Sequence, residues 1–415
     1  MPVSASGPGD GERREDGGEA VQSRGESQIR SQLIALYIGL YAAFGTIFPY
    51  LNLYLRKQGW SGDTIGLVGA VGPLVILLTQ PLWGLLGDWL GASGRLLALG
   101  TVFTGVMGVG FLYSHSLLAL LVVSGLWAVL RGPLAPLLDA ITLDHLGTDG
   151  DRYGRFRLFG SLGWAITTAG MGVVAGRYGL ESVFWAQLAL FAVTGLIAAG
   201  LAPQRTILAA PSLRQELRAL AASRGLHALA GVMLVLGTAI AIGENFFSIL
   251  LDQRGGATGL IGLAWMGGAI VEMIVFYLSP GLLRRWNARV LLIFSSLLYA
   301  LRFLALGLGW VAAPGAVALL QITDGLAYAS FNTALVLTVN ELAPSHLRAT
   351  SQSAFSAISF SLGSVLGNLL GGWLLDPLGA PGVFVVGGGL AVAATGLTAL
   401  LLPPVHLSHR RQGRA

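Results

Sequence analysis

The sequence predicts an all-α membrane protein, with twelve transmembrane helices arranged as two pseudo-symmetric six-helix halves. Three observations carry this. Of 415 residues, 54% are hydrophobic and only 11% charged, whereas a soluble chain carries about 25% charged residues. Twelve apolar runs are long enough to cross a bilayer core, which takes about 20 residues in a helix. The basic residues gather in alternate connections, as they do in polytopic membrane proteins.

The elements follow in order along the chain. Residues 1–30 hold glycine, serine and charge without an apolar run. They read as a disordered cytoplasmic tail rather than a cleaved leader. The first half, 31–202, carries runs at 31–55, 63–87, 95–113, 116–146, 152–176 and 180–202. A polar cytoplasmic linker is expected at 203–225. The second half, 226–402, carries runs at 226–251, 257–283, 289–309, 313–342, 349–375 and 380–402. Residues 403–415 form a basic cytoplasmic tail. The runs are long and lack two-residue alternation, so they are helices rather than strands. The 60 glycines suit helices that pack closely in lipid.

Charge fixes the orientation. With both termini in the cytoplasm, the inner segments hold 18 of the 25 Lys and Arg residues, and the outer loops only Arg56, Lys57, Arg177 and Arg254. Arg131, Arg157 and Arg302 fall inside helices. This asymmetry implies a bacterial inner membrane, an even number of crossings and cytoplasmic ends. The net charge of +5 sits in loops and tails, so no nucleic-acid partner is expected. The lipid bilayer is the expected partner, and the protein a monomer.

The halves look duplicated. Ile65-Gly66-Leu67 and Ile261-Gly262-Leu263 each open a run, Arg95 and Arg289 each begin one, and Asp144 and Glu341 each close one. A transporter built this way places its solute between the halves near the midplane. Other classes find no support. The chain has no cysteine, no phosphate-binding loop and no zinc-type ligand cluster, and its six histidines lie mostly in connections. No enzyme activity and no cofactor are expected.

An ionised side chain at a helix centre costs at least ~2.5–3.5 kcal/mol, so each demands a reason. The intramembrane set is Arg131, Asp139, Arg157, Glu244, Glu272, Arg302 and Asp324. Three cations against four acids leave one carboxylate free to carry a proton. Asp139 and Arg157 stand at equal depth, ~13 Å from their hairpin turn. Glu272 and Arg302 stand ~22 Å from theirs. Matched depth predicts two ion pairs, and register-fixing pairs without a solute role remain the structural alternative. Asn332 lies eight residues after Asp324, within about 80° on one helix face. Trp164 lies two turns beyond Arg157. Arg131 opens Arg131-Gly132-Pro133-Leu134-Ala135-Pro136, where two prolines kink the helix. The aromatic residues of the first run, Tyr37, Tyr41, Phe44, Phe48, Tyr50 and Tyr54, read mostly as packing or interface belt.

Between the second and third runs stands Gly84-Leu-Leu-Gly-Asp88-Trp-Leu-Gly91-Ala-Ser-Gly-Arg95. It resembles the Gly-x-x-x-Asp-x-x-Gly signature of the major facilitator superfamily, followed by a basic residue. The resemblance implies a cytoplasmic latch formed by Gly84, Asp88, Gly91 and Arg95. Phe48-Pro49-Tyr50-Leu51-Asn52-Leu53-Tyr54-Leu55, Pro133-Leu-Ala-Pro136-Leu-Leu-Asp139 and Tyr153-Gly154-Arg155-Phe156-Arg157 through Trp164 are similar to the proton symporters related to phenylpropionic acid and lactose permeases. That resemblance implies the major facilitator fold. It also implies a solute cavity lined by Asp139, Arg157, Trp164, Glu272 and Arg302, with proton coupling through Asp139 and Glu272; from their places inside the helices Asn332 is a further expected solute-binding residue, and Asp324 and Glu244 further expected proton carriers. The chain departs from these relatives at three places: Asp324 stands where they carry a histidine, Asn332 where the phenylpropionic type carries a second, and Tyr328 near the place of a glutamate in lactose permease.

The expected function is secondary active transport of a small organic solute (a sugar, nucleoside or aromatic acid) by alternating access, with proton symport. A proton-driven efflux antiporter of the same fold and a non-transporting membrane receptor are the alternatives.

Overall fold

A computed structural model describes residues 10–90, 93–147, 153–201, 224–283, 286–343 and 348–402. Among the described residues all regular structure is helical. The N-terminal helices are α1 (Asp10–Ile47), α2 (Leu51–Lys57), α3 (Gly62–Leu90), α4 (Ser93–Val109), α5 (Leu117–Arg131), α6 (Leu134–Leu146), α7 (Tyr153–Tyr178) and α8 (Ser182–Ala199). The C-terminal helices are α9 (Arg224–Gln253), α10 (Thr258–Leu283), α11 (Ala288–Gly307), α12 (Pro314–Leu320), α13 (Ile322–Leu342), α14 (Arg348–Ser356) and α15 (Gly363–Leu401). A π-helical stretch, Ala357–Leu362, joins α14 to α15. Of the tail expected to be disordered, residues 10–30 are instead the start of α1, while residues 1–9, most of the expected 203–225 linker and the tail at 403–415 lie outside the described residues.

Ten stretches among the described residues are long and apolar enough to cross a membrane. One, Ser351–Leu401, is 51 residues long, more than twice what a single crossing needs. It breaks at Gly379, whose φ of 66° no helix adopts. The chain is thus an integral membrane protein by its helices. Two local signals shape them. Pro133 lacks the amide that would continue the ladder, so α5 ends at Arg131 and α6 restarts at Leu134. Ser116 and Asn287 cap α5 and α11, accepting from the amides of Ala119 and Val290.

Tight turns gather at one end of the bundle. Gly59, Gly179, Gly255 and Gly309 all have positive φ, which only glycine adopts cheaply. Long-range contacts hold these turns together. Gln58 donates to Glu181, and the Ala380 amide donates to Gln253 Oε1. The N-terminal and C-terminal helices also meet here. Arg56 pairs with Asp376 at 2.7 Å, and Lys57 with Asp252 at 2.7 Å. The Gly62 amide donates to Asp376 Oδ2, and Asn52 Nδ2 donates to the Asn245 carbonyl. Backbone packing makes this seam tight. A Cβ on Gly66 would stand 2.6 Å from the Asn368 carbonyl oxygen, and one on Gly262 would stand 2.5 Å from that of Thr168. The Arg56 and Asp376 side chains are 34% and 43% exposed, and exposed pairs stabilise by only ~0–1 kcal/mol. The ion pairs alone therefore do not account for a tight seam, and the close backbone packing at the glycines adds to it.

Candidate functional site

Behind the closed seam lies a cavity of about 560 Å³, lined by both groups of helices. Its first wall is built on α1. Tyr37, Tyr41, Phe44 and Phe48 are spaced four, three and four residues apart, which aligns them along one helix face. Successive ring centroids lie 6.3, 6.0 and 5.8 Å apart. Phe48 then meets Trp127 at 5.7 Å and Trp164 at 5.8 Å. From Tyr41 onward these rings line the cavity.

An arginine stands at each end of this ladder. The Arg157 guanidinium lies 4.1 Å from the Tyr41 ring centroid. That of Arg131 lies 4.8 Å from Phe48 and 4.6 Å from Trp127. Both line the cavity, and among the described residues neither forms an ion pair. A desolvated cation over a ring gains up to ~2 kcal/mol. Two rings around Arg131 are therefore comparable with the ~2.5–3.5 kcal/mol cost of a charge at this depth. The aromatic residues can hold these cations in place without a carboxylate.

The opposite wall is acidic. Glu244 on α9, Glu272 on α10 and Asp324 on α13 all line the cavity. Gly325 sets part of this wall: a Cβ there would lie 2.0 Å from the Gly268 carbonyl oxygen and 2.7 Å from the Glu272 amide. The bare backbone lets α13 and α10 touch, which brings the Asp324 and Glu272 turns together. Among the described residues Glu244 and Glu272 form no ion pair. The charges that act most on Glu272 are Asp324 beside it and Arg157 across the cavity.

Three expected positions need correction. Asp139 does not line the cavity and does not pair with Arg157; it accepts a 2.7 Å hydrogen bond from buried Tyr37. Arg302 does not pair with Glu272. It is 2% exposed, behind the cavity wall, ion-paired with Asp324 and donating to Gln321 Oε1. Asn332 donates to the Tyr328 carbonyl in its own helix and does not line the cavity. Equal depth fixes height in the bundle but not rotation about each helix axis, and rotation chose other partners. Arg157, Trp164, Glu244, Glu272 and Asp324 do converge on the cavity. Of the expected latch, Gly84 and Asp88 fall in the last turns of α3, Arg95 is exposed in the first turn of α4, and Gly91 lies outside the described residues.

Several cavity residues were not singled out by the sequence: Trp127, Trp265 and Asn368 by any signal, and Asn52 and Tyr328 only as parts of other motifs. Of the six aromatic residues of the first run, Tyr37, Tyr50 and Tyr54 are buried packing as expected, whereas Tyr41, Phe44 and Phe48 also line the cavity. Among the described residues no three His, Cys, Asp or Glu converge as a metal site.

The comparisons with known proteins agree with this architecture. The maltose permease of Geobacillus stearothermophilus is 29% identical over 347 residues, covering 82% of this chain and 86% of its own. The Probable 3-phenylpropionic acid transporter of Escherichia coli (strain K12) is 26% identical over 379 residues, covering 89% and 95%. The crystal structure of the nucleoside transporter NupG superposes with a TM-score of 0.79 at 17% identity, covering 89% of this chain and 98% of its own. The family model for the MFS_1 like family matches residues 31–386, and the chain belongs to that family of major facilitator permeases.

Proposed function

We propose that this protein is a secondary active transporter that moves a sugar, nucleoside or aromatic acid by alternating access, coupled to protons. The observation that carries the reading is the cavity itself. It lies between two groups of helices, is closed at the glycine-turn end, and has cations on one wall and, on the other, Glu244 and Glu272, which form no ion pair among the described residues.

The proposed architecture is twelve crossings in two six-helix halves. The break at Gly379 divides Ser351–Leu401 into two crossings, and α12 with α13 supplies another. The positive-inside rule then places both termini in the cytoplasm of a bacterial cell and the glycine-turn end outside. The cavity in this conformation opens inward. The Gly84–Arg95 segment is the proposed latch that forms when the inner end closes. Solute binds among Arg157, Trp164 and the α1 ladder. Glu272, Glu244 and Asp324 are the proposed proton carriers. Protonating Glu272 removes its attraction to Arg157 across the cavity, which changes which contacts between the halves are stable. Asp139, held by Tyr37, acts on Arg157 from behind the wall.

The test is solute accumulation in proteoliposomes under an imposed pH gradient. Accumulation of maltose, uridine or 3-phenylpropionate that vanishes when a protonophore collapses the gradient is expected. Uptake of the same extent without a gradient would remove the proton from the account.

A further inference from the structure

We infer that Arg131 is an anion-binding subsite of the cavity, and that the solute is a monocarboxylate with a flat apolar body. This rests on the reading of the cavity as the solute site, and goes further in assigning a subsite and a charge to the cargo.

The geometry points to Arg131 in four ways. It is the last residue of α5, where the proline break ends the helix and the C-terminal dipole favours a cation. Gly72 on α3 leaves it room, since a Cβ there would already stand 3.4 Å from Nη2. Phe48 and Trp127 both pack against the guanidinium. Yet its Nε is buried without a hydrogen-bond partner, and no carboxylate among the described residues pairs with it. Ring faces steady a cation but accept no in-plane N–H bonds. Arginine presents five such donors in a planar fork that fits a carboxylate. Arg131 lines the cavity and has no carboxylate partner among the described residues, so its guanidinium is a group whose partner arrives with the ligand.

The surroundings choose the rest of the ligand. Phe48 also touches Trp164, so a ring seated beside the carboxylate continues the aromatic ladder. Glu244 and Glu272 on the other wall repel an anion, which orients the carboxylate toward α5. Arg157 is a second cation at the far end of the ladder, where it lies over one ring, Tyr41, and its charge acts on Glu272. Of the two arginines, Arg131 therefore offers the anion the freer site.

The test is binding to purified full-length protein, read by tryptophan fluorescence and by the shift in melting temperature. The probes are benzoate, 3-phenylpropionate and 5-phenylvalerate, each compared with its neutral amide. At least one acid is expected to bind wild type tenfold or more tightly than its amide. Arg131→Gln should lose that preference while binding the amide as before, and Arg131→Lys should keep part of it. If Arg131→Gln does not fold, the wild-type comparison and Arg131→Lys decide: a lysine variant with full acid affinity contradicts the planar fork. The inference is overturned if no acid binds wild type, if acid and amide bind alike, or if Arg131→Gln keeps the preference. An acid that binds through Arg131 but is never moved in proteoliposomes sinks the transporter reading and leaves the subsite. Gradient-driven flux of a neutral solute with no acid binding does the reverse.

Discussion

Arg157 and Arg302 show how two buried arginines of the same chain come to different roles. Arg157 rests on a tyrosine ring and faces the cavity, whereas Arg302 is sealed behind Asp324 and Gln321. Arg157→Ala removes a cavity cation that forms no ion pair among the described residues. It is expected to reduce solute flux to background while leaving the melting temperature within a few degrees of wild type, which flux assays and thermal melts on one preparation will check. Arg302→Ala instead strands Asp324 as an uncompensated charge, a change that costs about 3–5 kcal/mol. A marked fall in melting temperature is expected, partly restored in the Arg302→Ala, Asp324→Ala double variant. A single variant as stable as wild type would contradict the ion pair. Sequence spacing found these residues because intramembrane charge is rare and conspicuous. It mistook their partners because side-chain azimuth depends on how each helix is rotated against its neighbours, which a single chain of letters does not encode.

At the scale of elements, glycine decides which helices can touch. Gly62, Gly66 and Gly372 join α3 to α15, where a Cβ on Gly372 would lie 2.5 Å from both the Gly62 oxygen and Gly66 Cα. Gly372→Val is therefore expected to pry this seam apart and favour the conformation open at the glycine-turn end. The chain has no cysteine, so Asn245→Cys, at the seam beside Asn52, reports the change without background. An impermeant maleimide should label it several-fold faster with Gly372→Val present; equal rates would mean that the seam is not held by backbone contact. The run lengths and the proline break were readable in sequence, because both follow from local chemistry. The close approaches were not, since a glycine that admits a neighbouring backbone and one that merely fills a helix look identical. The α1 ladder falls between these cases: its spacing was visible, but the cations that give it a use sit on α5 and α7.

At the scale of the whole molecule, the two groups of helices enclose a cavity with opposite charge on its facing walls, and the seam closes one entrance to it. The central claim is that the solute crosses through this cavity. Ser161 lines it one turn from Arg157, and in the cysteine-free chain Ser161→Cys places a single thiol there. Alkylation of that thiol with N-ethylmaleimide, followed by solute flux in proteoliposomes, tests the claim most directly. The account predicts that alkylation abolishes flux and that the transported solute slows alkylation. A fully alkylated protein that transports at the unmodified rate would contradict it.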